Sequence, residues 1–352
     1  MRGLVTGAGS QDRRVFVAVD AMGGDAAPRA VLDGVASALV ADPDLHVLLV
    51  GTDDVVGPFA ESHARCEAVH ADSVIGMGEH AAQAVRGKPD SSIVAGCRLV
   101  KEGRAAAFFS AGNTGAVMAA ATLVLGRIPG VSRPAIATVF PAASAPCVLL
   151  DVGANADCKP EHLLQFAHMG IAYARAALGV EHPRAGLLNI GEEETKGSML
   201  AQDAHALMAN GLSGFVGNIE GRDLPRGMAD VVVTDGFTGN VCLKLMEGLS
   251  ETLLGEVRAA ISARPIDRLA ALVLRPSLAS LKRRLDPDTY GGAPLLGVRG
   301  VCVIGHGGST ADAVAAALRV CATSVRGGLT DLISGALATG DPDSLPRPTG
   351  TV

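Results

Sequence analysis

Glycines, side-chain amides and acids recur wherever an apolar run of this chain ends. In "VAVDAMGGDAAPRAVLDG", residues 17–34, Asp20 and Asp25 flank Gly23 and Gly24 just before a helical pattern begins. Paired glycines at such a place can aim backbone N–H groups at an anion. A carboxylate on either side repels one, so the stretch reads either as an anion cradle or as a tight turn. Comparable groupings follow at "SAGNTG" (Asn113, Thr114), "DVGANAD" (Asn155), "NIGEEETKG" (Glu192, Glu193, Glu194, Lys196), "GNIEGRD" (Asn218, Glu220), "TDGFTGN" (Asp235, Asn240, then Lys244) and "IGHGGST" (His306). Ligands of open parallel sheets collect outside the carboxyl ends of the strands. Seven loops of this kind around one crevice suggest an enzyme rather than a scaffold.

The elements that carry these loops alternate along the chain. Strand-like runs are read at 15–20, 46–51, 105–110, 135–140, 146–151, 184–190, 214–219, 229–235 and 300–304. Helical patterns fall at 28–40, 54–64, 79–102, 113–125, 160–178, 197–209, 237–262, 265–285 and 309–325. The alternation predicts an α/β protein with a mainly parallel sheet and helices on both faces. No repeat of fixed period is visible. Residues 1–14 read as a flexible extension, 15–335 as the catalytic domain, and 336–352 as a flexible tail.

Composition narrows the classes. The 352 residues carry a net charge of −6 and are 3% aromatic with no Trp, which argues against nucleic acid as a partner. Seven cysteines without CxxC or Cys/His spacing give neither a disulfide framework nor a zinc site. With no signal-peptide pattern, they point to a reduced cytoplasm. The uncharged stretches 105–126 and 134–150 contain Ser110, Asn113 and Thr114, or three prolines, and so read as buried core rather than membrane spans. "LVTGAGSQDRR" lacks the third glycine of a dinucleotide fingerprint, and there is no P-loop, HExxH or GxSxG motif. No carboxylate cluster for a metal stands out, and no cofactor is expected.

Taken in order, "VDAMGGDAAP", "SAGNTGAVMAAATLVLGRIPGVSRPAIA", "LLDVGANADCKPEHLLQFAHMG", "LLNIGEEETKGSML", "FVGNIEGRDLPRGMADVVVTDGFTGNVCLKLMEG" and "YGGAPLLGVRGVCVIGHGGSTADAV" resemble the PlsX family of phosphate acyltransferases over about residues 15–330. The "HGGST" loop departs from the family's pattern at Gly308 and Thr310. The resemblance implies a three-layer α/β/α fold of the isocitrate/isopropylmalate dehydrogenase type, shared with phosphotransacetylases, and a homodimer. It implies transfer of an acyl group from acyl carrier protein to inorganic phosphate, giving acyl phosphate for phosphatidic acid and phospholipid synthesis. Loose contact with the inner face of the cell membrane, and a downstream glycerol-3-phosphate acyltransferase, belong to the same implication.

For that chemistry phosphate is itself the nucleophile, so the protein need supply only alignment and charge. Lys196 and the glycine N–H groups are the candidates for holding the anion. Glu193 and its neighbours either orient Lys196 or simply place negative charge at a helix start. Asn113 and Thr114 are candidate oxyanion donors; Asn155, Asn218 and Asn240 are further amides whose alternative role is turn formation. Asp20 and Asp25 suit orientation of donors better than contact with phosphate. Glu220 and Asp235 belong to the same substrate-binding set. His306 either donates to phosphate or helps protonate the leaving thiolate, and is equally readable as a structural loop residue. Lys244, four residues after Asn240, reaches phosphate or the carrier's phosphopantetheine, or is a plain surface lysine.

The stretch 245–285 differs from the loops. Leu245, Leu249, Leu253, Val257 and Ile261 recur every four residues, and Arg268, Arg275 and Lys282 every seven, joined by Arg283 and Arg284. They predict a protruding pair of amphipathic helices, the second basic. Such a pair can dock an acidic carrier protein or rest on anionic lipid, or it is an ordinary core-packing hairpin or dimer contact. Rival functions are transfer from acyl-coenzyme A, a dehydrogenase, and a non-catalytic lipid or carrier sensor.

Overall fold

Apolar runs that stay uninterrupted become interior strands. In β1 (Val15–Asp20) every residue but Phe16 is buried, as expected of a parallel strand covered on both faces. The computed structural model describes residues 13–143, 145–262, 273–280 and 287–339. β1, β2 (Leu45–Gly51), β3 (Cys66–His70), β4 (Ala107–Ser110) and β11 (Val301–Ile304) form one parallel block, and β6 (Cys147–Leu150), β7 (Ala185–Asn189), β8 (Phe215–Glu220) and β9 (Val231–Val233) a second. Between the blocks lie β10 (Ala293–Leu296) and β5 (Ala135–Phe140). The sheet has 11 strands in the order β3-β2-β1-β4-β11-β10-β5-β6-β9-β7-β8. The pairs β11/β10, β10/β5 and β5/β6 are antiparallel, so the second block runs opposite to the first along the sheet.

Side chains alternate across the sheet. Val17, Val19 and Phe109 face a core completed by α1 (Arg29–Ala41), α6 (Pro160–Leu178), α10 (Ala311–Arg326) and α11 (Leu329–Thr339). Ala18 and Phe108 face the other core, with α4 (Ser92–Lys101) and α5 (Thr114–Ala120). The three-layer α/β/α arrangement is therefore the predicted one. Helices α1 and α10 approach closely because Gly34 has no side chain: a Cβ there would lie 2.5 Å from Val314 Cβ. The remaining helices are α2 (Asp53–Ser62), α3 (Ala81–Gly87), α7 (Met199–Gly211), α8 (Gly236–Ser262) and α9 (273–280).

Three features differ from the sequence reading. β3 is a half-exposed edge strand, "CEAVH", with no apolar stripe to mark it. β10 is four residues long and begins beside Pro294. Over 79–102 the structure has the helices α3 and α4, separated by a turn containing Pro89. Helix α11 carries the ordered chain past the expected limit at 335, with Ala336 buried. The expected extensions 1–14 and 336–352 otherwise lie outside the described residues, apart from Arg13 and Arg14.

Candidate active site

A cavity of about 410 Å³ opens where the two blocks meet. Asp25, Phe109, Thr114, Ile304, His306 and Ser309 line it from the first block, Ile136, Thr138 and Ala293 from the bridging strands, and Val152, Asn240, Leu243, Lys244 and Glu247 from the second. It thus collects Asp25, Thr114, Asn240, Lys244 and His306 of the predicted set. Thr138 and Ser309 were not foreseen; Thr138 sits in mid-strand, where the sequence shows only an ordinary β-former.

The first wall is organised by Asp20, buried at the end of β1. Its carboxylate accepts from Met22 N–H at 3.0 Å and from the Ser110 hydroxyl at 2.7 Å, while Ser110 Oγ accepts from Gly112 N–H at 3.0 Å. Burial pushes the Asp20 carboxyl above its ordinary range, and hydrogen bonds from Ser110, Ser92 and the backbone of Met22 and Gly23 pull it partly back. Gly23 leaves room for this hub, since a Cβ there would lie 2.6 Å from Asp20 Oδ2. Gly24 takes φ +106°, and Asp25 N–H then donates to Gly307 O at 2.7 Å. The opening stretch is therefore a turn docked on the His306 loop and also part of the cavity wall. Within that loop His306 Nδ1 accepts from Gly308 N–H at 3.2 Å, so in the neutral ring Nε2 carries the proton. Behind it Thr310 Oγ1 accepts from Ala313 N–H and caps α10, directing the helix's positive end toward the loop.

The Asn113 side chain, a candidate oxyanion donor, is engaged within the fold. Its Nδ2 donates to the carbonyls of Gly76, Met77 and Glu79 at 3.2, 2.9 and 3.2 Å, and its Oδ1 accepts from Ala116 N–H. It caps α5 and ties down the 76–79 turn.

The second wall is organised by Asp151, at the end of β6, which sequence reasoning passed over although "LLD" ends an apolar run as "VAVD" does. Its buried carboxylate accepts from Ile136, Ala154 and Asn155 N–H and from Asn155 Nδ2, at 3.0, 3.0, 2.7 and 2.9 Å. Burial raises this carboxyl too, against those hydrogen bonds. Asn155 also donates to Pro134 O at 2.8 Å, so it braces the loop, the turn-forming role open to it from the sequence. Gly236 and Gly239 let the first turn of α8 lie directly on this loop: a Cβ on Gly236 would sit 2.7 Å from Asp151 Oδ2, and one on Gly239 would collide with Asp151 O. Asp235 accepts from Thr238 N–H and Oγ1–H at 2.9 and 2.8 Å, capping that turn. The turn presents Asn240 and Lys244 to the cavity, and Lys244 Nζ pairs with Glu247 at 2.7 Å.

The loops after β7 and β8 do not reach this cavity. A smaller one, about 270 Å³, is lined by Leu187, Asn189, Gly197, Ser198, Leu200, Asp235 and Thr238 among others. Lys196 stands exposed beside it and lines neither cavity. Glu193 is exposed as well. Asn218 is buried, donating to Glu193 O at 2.9 Å, and Glu220 pairs with Arg222 at 2.8 Å. The expected single crevice of seven loops is therefore divided: β6 and β9, nearer the middle of the sheet, bring their loops to the larger cavity, while β7 and β8 lie beyond them toward the sheet's edge.

No cysteine among the seven is a ready thiolate. Burial pushes Cys147 and Cys302 up to about 12, Cys158 up to about 11, and raises Cys66, Cys97, Cys242 and Cys321 as well. Among the described residues no cluster of His, Cys, Asp and Glu could hold a metal ion.

Beyond its first turns α8 leaves the body of the molecule, with Val241, Leu245, Leu249, Leu253 and Val257 43–68% exposed. The amphipathic stripe is thus real and stands exposed among the described residues. Arg275, on α9, is exposed. Arg268, Lys282, Arg283 and Arg284 lie outside the described residues. No helix among the described residues is long and apolar enough to cross a membrane.

Residues 15–331 match the model of a family described as "Fatty acid synthesis protein". A phosphate acyltransferase of Desulfitobacterium hafniense is 49% identical over 321 residues, covering 90% of this chain and 96% of the relative. The chain belongs to the PlsX family of phosphate acyltransferases. A phosphate acyltransferase of Myxococcus xanthus is 48% identical, with 88% of this chain and 90% of the relative covered. Membership makes this chain a transferase enzyme. Among solved structures, a phosphotransacetylase from Staphylococcus aureus aligns with a TM-score of 0.57 at 15% identity, covering 89% of this chain and 94% of that one. One from Streptococcus pyogenes gives 0.57 at 16%, over 89% and 94%. These two share the fold, as the resemblance implied.

Proposed function

We propose that the protein transfers a fatty acyl group from acyl carrier protein to inorganic phosphate. A phosphate oxygen attacks the thioester carbonyl, the C–S bond breaks, the thiolate leaves and takes up a proton, and acyl phosphate is the product for phospholipid synthesis. The observation that carries this reading is the character of the larger cavity. Its interior is apolar (Phe109, Ile136, Val152, Leu243, Ile304), while Thr114, Asn240, Lys244 and His306 add donors at the same place, and every cysteine is held as a thiol.

Alignment of two bound reactants contributes about 7–11 kcal/mol to such a step, and each donor to the developing oxyanion about 3–4 kcal/mol. In this reading Thr114 and Asn240 are the donors and His306 Nε2–H serves phosphate or the departing sulfur. Lys244 and Lys196 supply positive charge; Lys196 makes no ion pair among the described residues. The apolar stripe of α8 and the basic residues Arg268, Arg275, Lys282, Arg283 and Arg284 form the surface for the acidic carrier, the membrane face or a second copy of the chain. Sedimentation with and without anionic vesicles separates the last two.

The test is to offer acyl carrier protein and coenzyme A thioesters of one fatty acid side by side, with phosphate varied, and to count acyl phosphate trapped as hydroxamate. Product from the carrier thioester is expected. Preference for coenzyme A would replace the donor, and binding without consumption would leave only a sensor. Lys196→Ala is expected to raise the KM for phosphate at least tenfold with the melting temperature unchanged, about 1.4 kcal/mol or more of lost interaction; unchanged phosphate kinetics would remove Lys196 from the site.

A further inference from the structure

Lys196 combines an exposed side chain with a backbone held on every side. Its N–H donates to Glu193 O at 3.0 Å, and its carbonyl accepts from Asn189 Nδ2 at 3.1 Å. Gln202 Nε2 donates to Thr195 O and Gly197 O at 2.9 and 3.2 Å. Gly197 at φ +89° packs where any Cβ would strike Asn189 Oδ1.

The Glu193 carbonyl is the junction of the turn, because it accepts from Lys196 N–H and also from Asn218 Nδ2 at 2.9 Å. With Nδ2 so engaged, the other face of the Asn218 amide is an oxygen, and it lies 3.0 Å from His205 Nδ1. The network therefore assigns the proton of the neutral His205 ring to Nδ1. His205, on α7, is 7% exposed, with the Phe215 ring edge against it at a centroid distance of 5.2 Å. Its Nε2 is 3.8 Å from the exposed Glu194 carboxylate, outside hydrogen-bond reach.

We propose that His205 and Asn218 are positioning residues for Lys196: a relay from His205 Nδ1–H through the Asn218 amide to the Glu193 carbonyl sets the turn that aims the lysine at phosphate. This rests on the assignment of Lys196 to phosphate made above. The relay is directional, so it specifies which substitution rescues it. Asparagine at 205 places an N–H donor where Nδ1 lies, whereas leucine supplies none.

The experiment compares the full-length wild type with Lys196→Ala, Asn218→Ala, His205→Leu and His205→Asn, plus the double variant of Lys196→Ala with His205→Leu. Both KM values, kcat, melting temperature and amide hydrogen exchange over 190–198 are measured. His205→Leu and Asn218→Ala are expected to raise the phosphate KM about tenfold, the scale of one lost hydrogen bond, with the thioester KM unchanged and faster exchange in the loop. His205→Asn restores both readouts, and His205→Leu adds nothing in the Lys196→Ala background. Undiminished effects in that background, equal rises in both KM values, or unaltered loop exchange would overturn the relay. If Lys196→Ala alone leaves the phosphate KM unchanged, the assignment of Lys196 fails and the relay's functional role falls with it, an outcome distinguishable by that single variant. Should His205→Leu fail to fold, Asn218→Ala and His205→Asn still decide between these results.

Discussion

The two walls of the cavity solve one problem in different ways. Each ends a central strand with a buried acid, Asp20 on β1 and Asp151 on β6, and each acid gathers the N–H groups of the loop that follows. Asp20 also receives the hydroxyl of Ser110 from the neighbouring strand β4, and a hydroxyl can either donate or accept. Three of the four donors that reach Asp151 are backbone N–H groups, which cannot reverse, and the fourth, Asn155 Nδ2, is held by its second bond to Pro134 O. The first wall is thus joined through an adjustable contact, the second through a fixed one. Fixity suits a loop on which the first turn of α8, bearing Asn240 and Lys244, lies in direct contact.

The largest expected contrast is steric. Gly239→Val drives a side chain into the Asp151 carbonyl and is expected to cost about 3 kcal/mol or more, read as a lowered midpoint in denaturant. Gly24→Val meets Gly307 O at 3.1 Å and an unfavourable φ of +106°; a cost of about 1–3 kcal/mol leaves a folded protein that has lost acyl phosphate formation. Equal stability of the two variants would break the comparison.

A finer contrast separates the acids themselves. In Asp20→Asn the new N–H₂ can donate to Ser110 Oγ once that hydroxyl turns, whereas in Asp151→Asn it must face other N–H groups. Asp151→Asn is therefore expected to destabilise by about 1–3 kcal/mol more than Asp20→Asn, measured by chemical denaturation at one pH.

The smallest contrast is in pH. Both carboxyls are raised above their unfolded range by burial, so their contribution is full below the ordinary carboxylate pKa and is lost as pH rises through the raised values. Asp42 behaves oppositely. Burial alone would raise it, but the guanidinium of Arg326, with Nη1 and Nη2 at 2.8 and 3.1 Å, holds it below the ordinary value. Its contribution is present above the ordinary range and lost as pH falls through the lowered one. Relative to wild type, Asp42→Asn should thus lose stability near neutrality, by under about 1 kcal/mol, and converge with it in acid.

Much of this was legible in the chain. Long apolar runs such as "VFVAV" and "CVLL" gave their strands, and glycine with acid after them marked the loops. Less legible was which groups those loops serve. Asn113, Asn155 and Asn218 read as ligand amides by type, yet each faces backbone or side-chain partners that only the fold brings near. Asp151 and Ser110 were given no role in a site because an acid or hydroxyl ending a strand carries no mark of the N–H groups it will meet. The split between Lys196 and the larger cavity depends on strand order, with β7 and β8 outside β9 toward the edge of the sheet, and order is not written in the pattern of any one strand.

The account depends most on phosphate attacking the thioester directly. Intact-mass measurement of the protein mixed with excess acyl carrier protein thioester, first without phosphate and then during turnover, tests this. The account predicts an unmodified mass in both conditions, with acyl phosphate appearing only in the second. A protein heavier by one acyl group, discharged on adding phosphate, would contradict it.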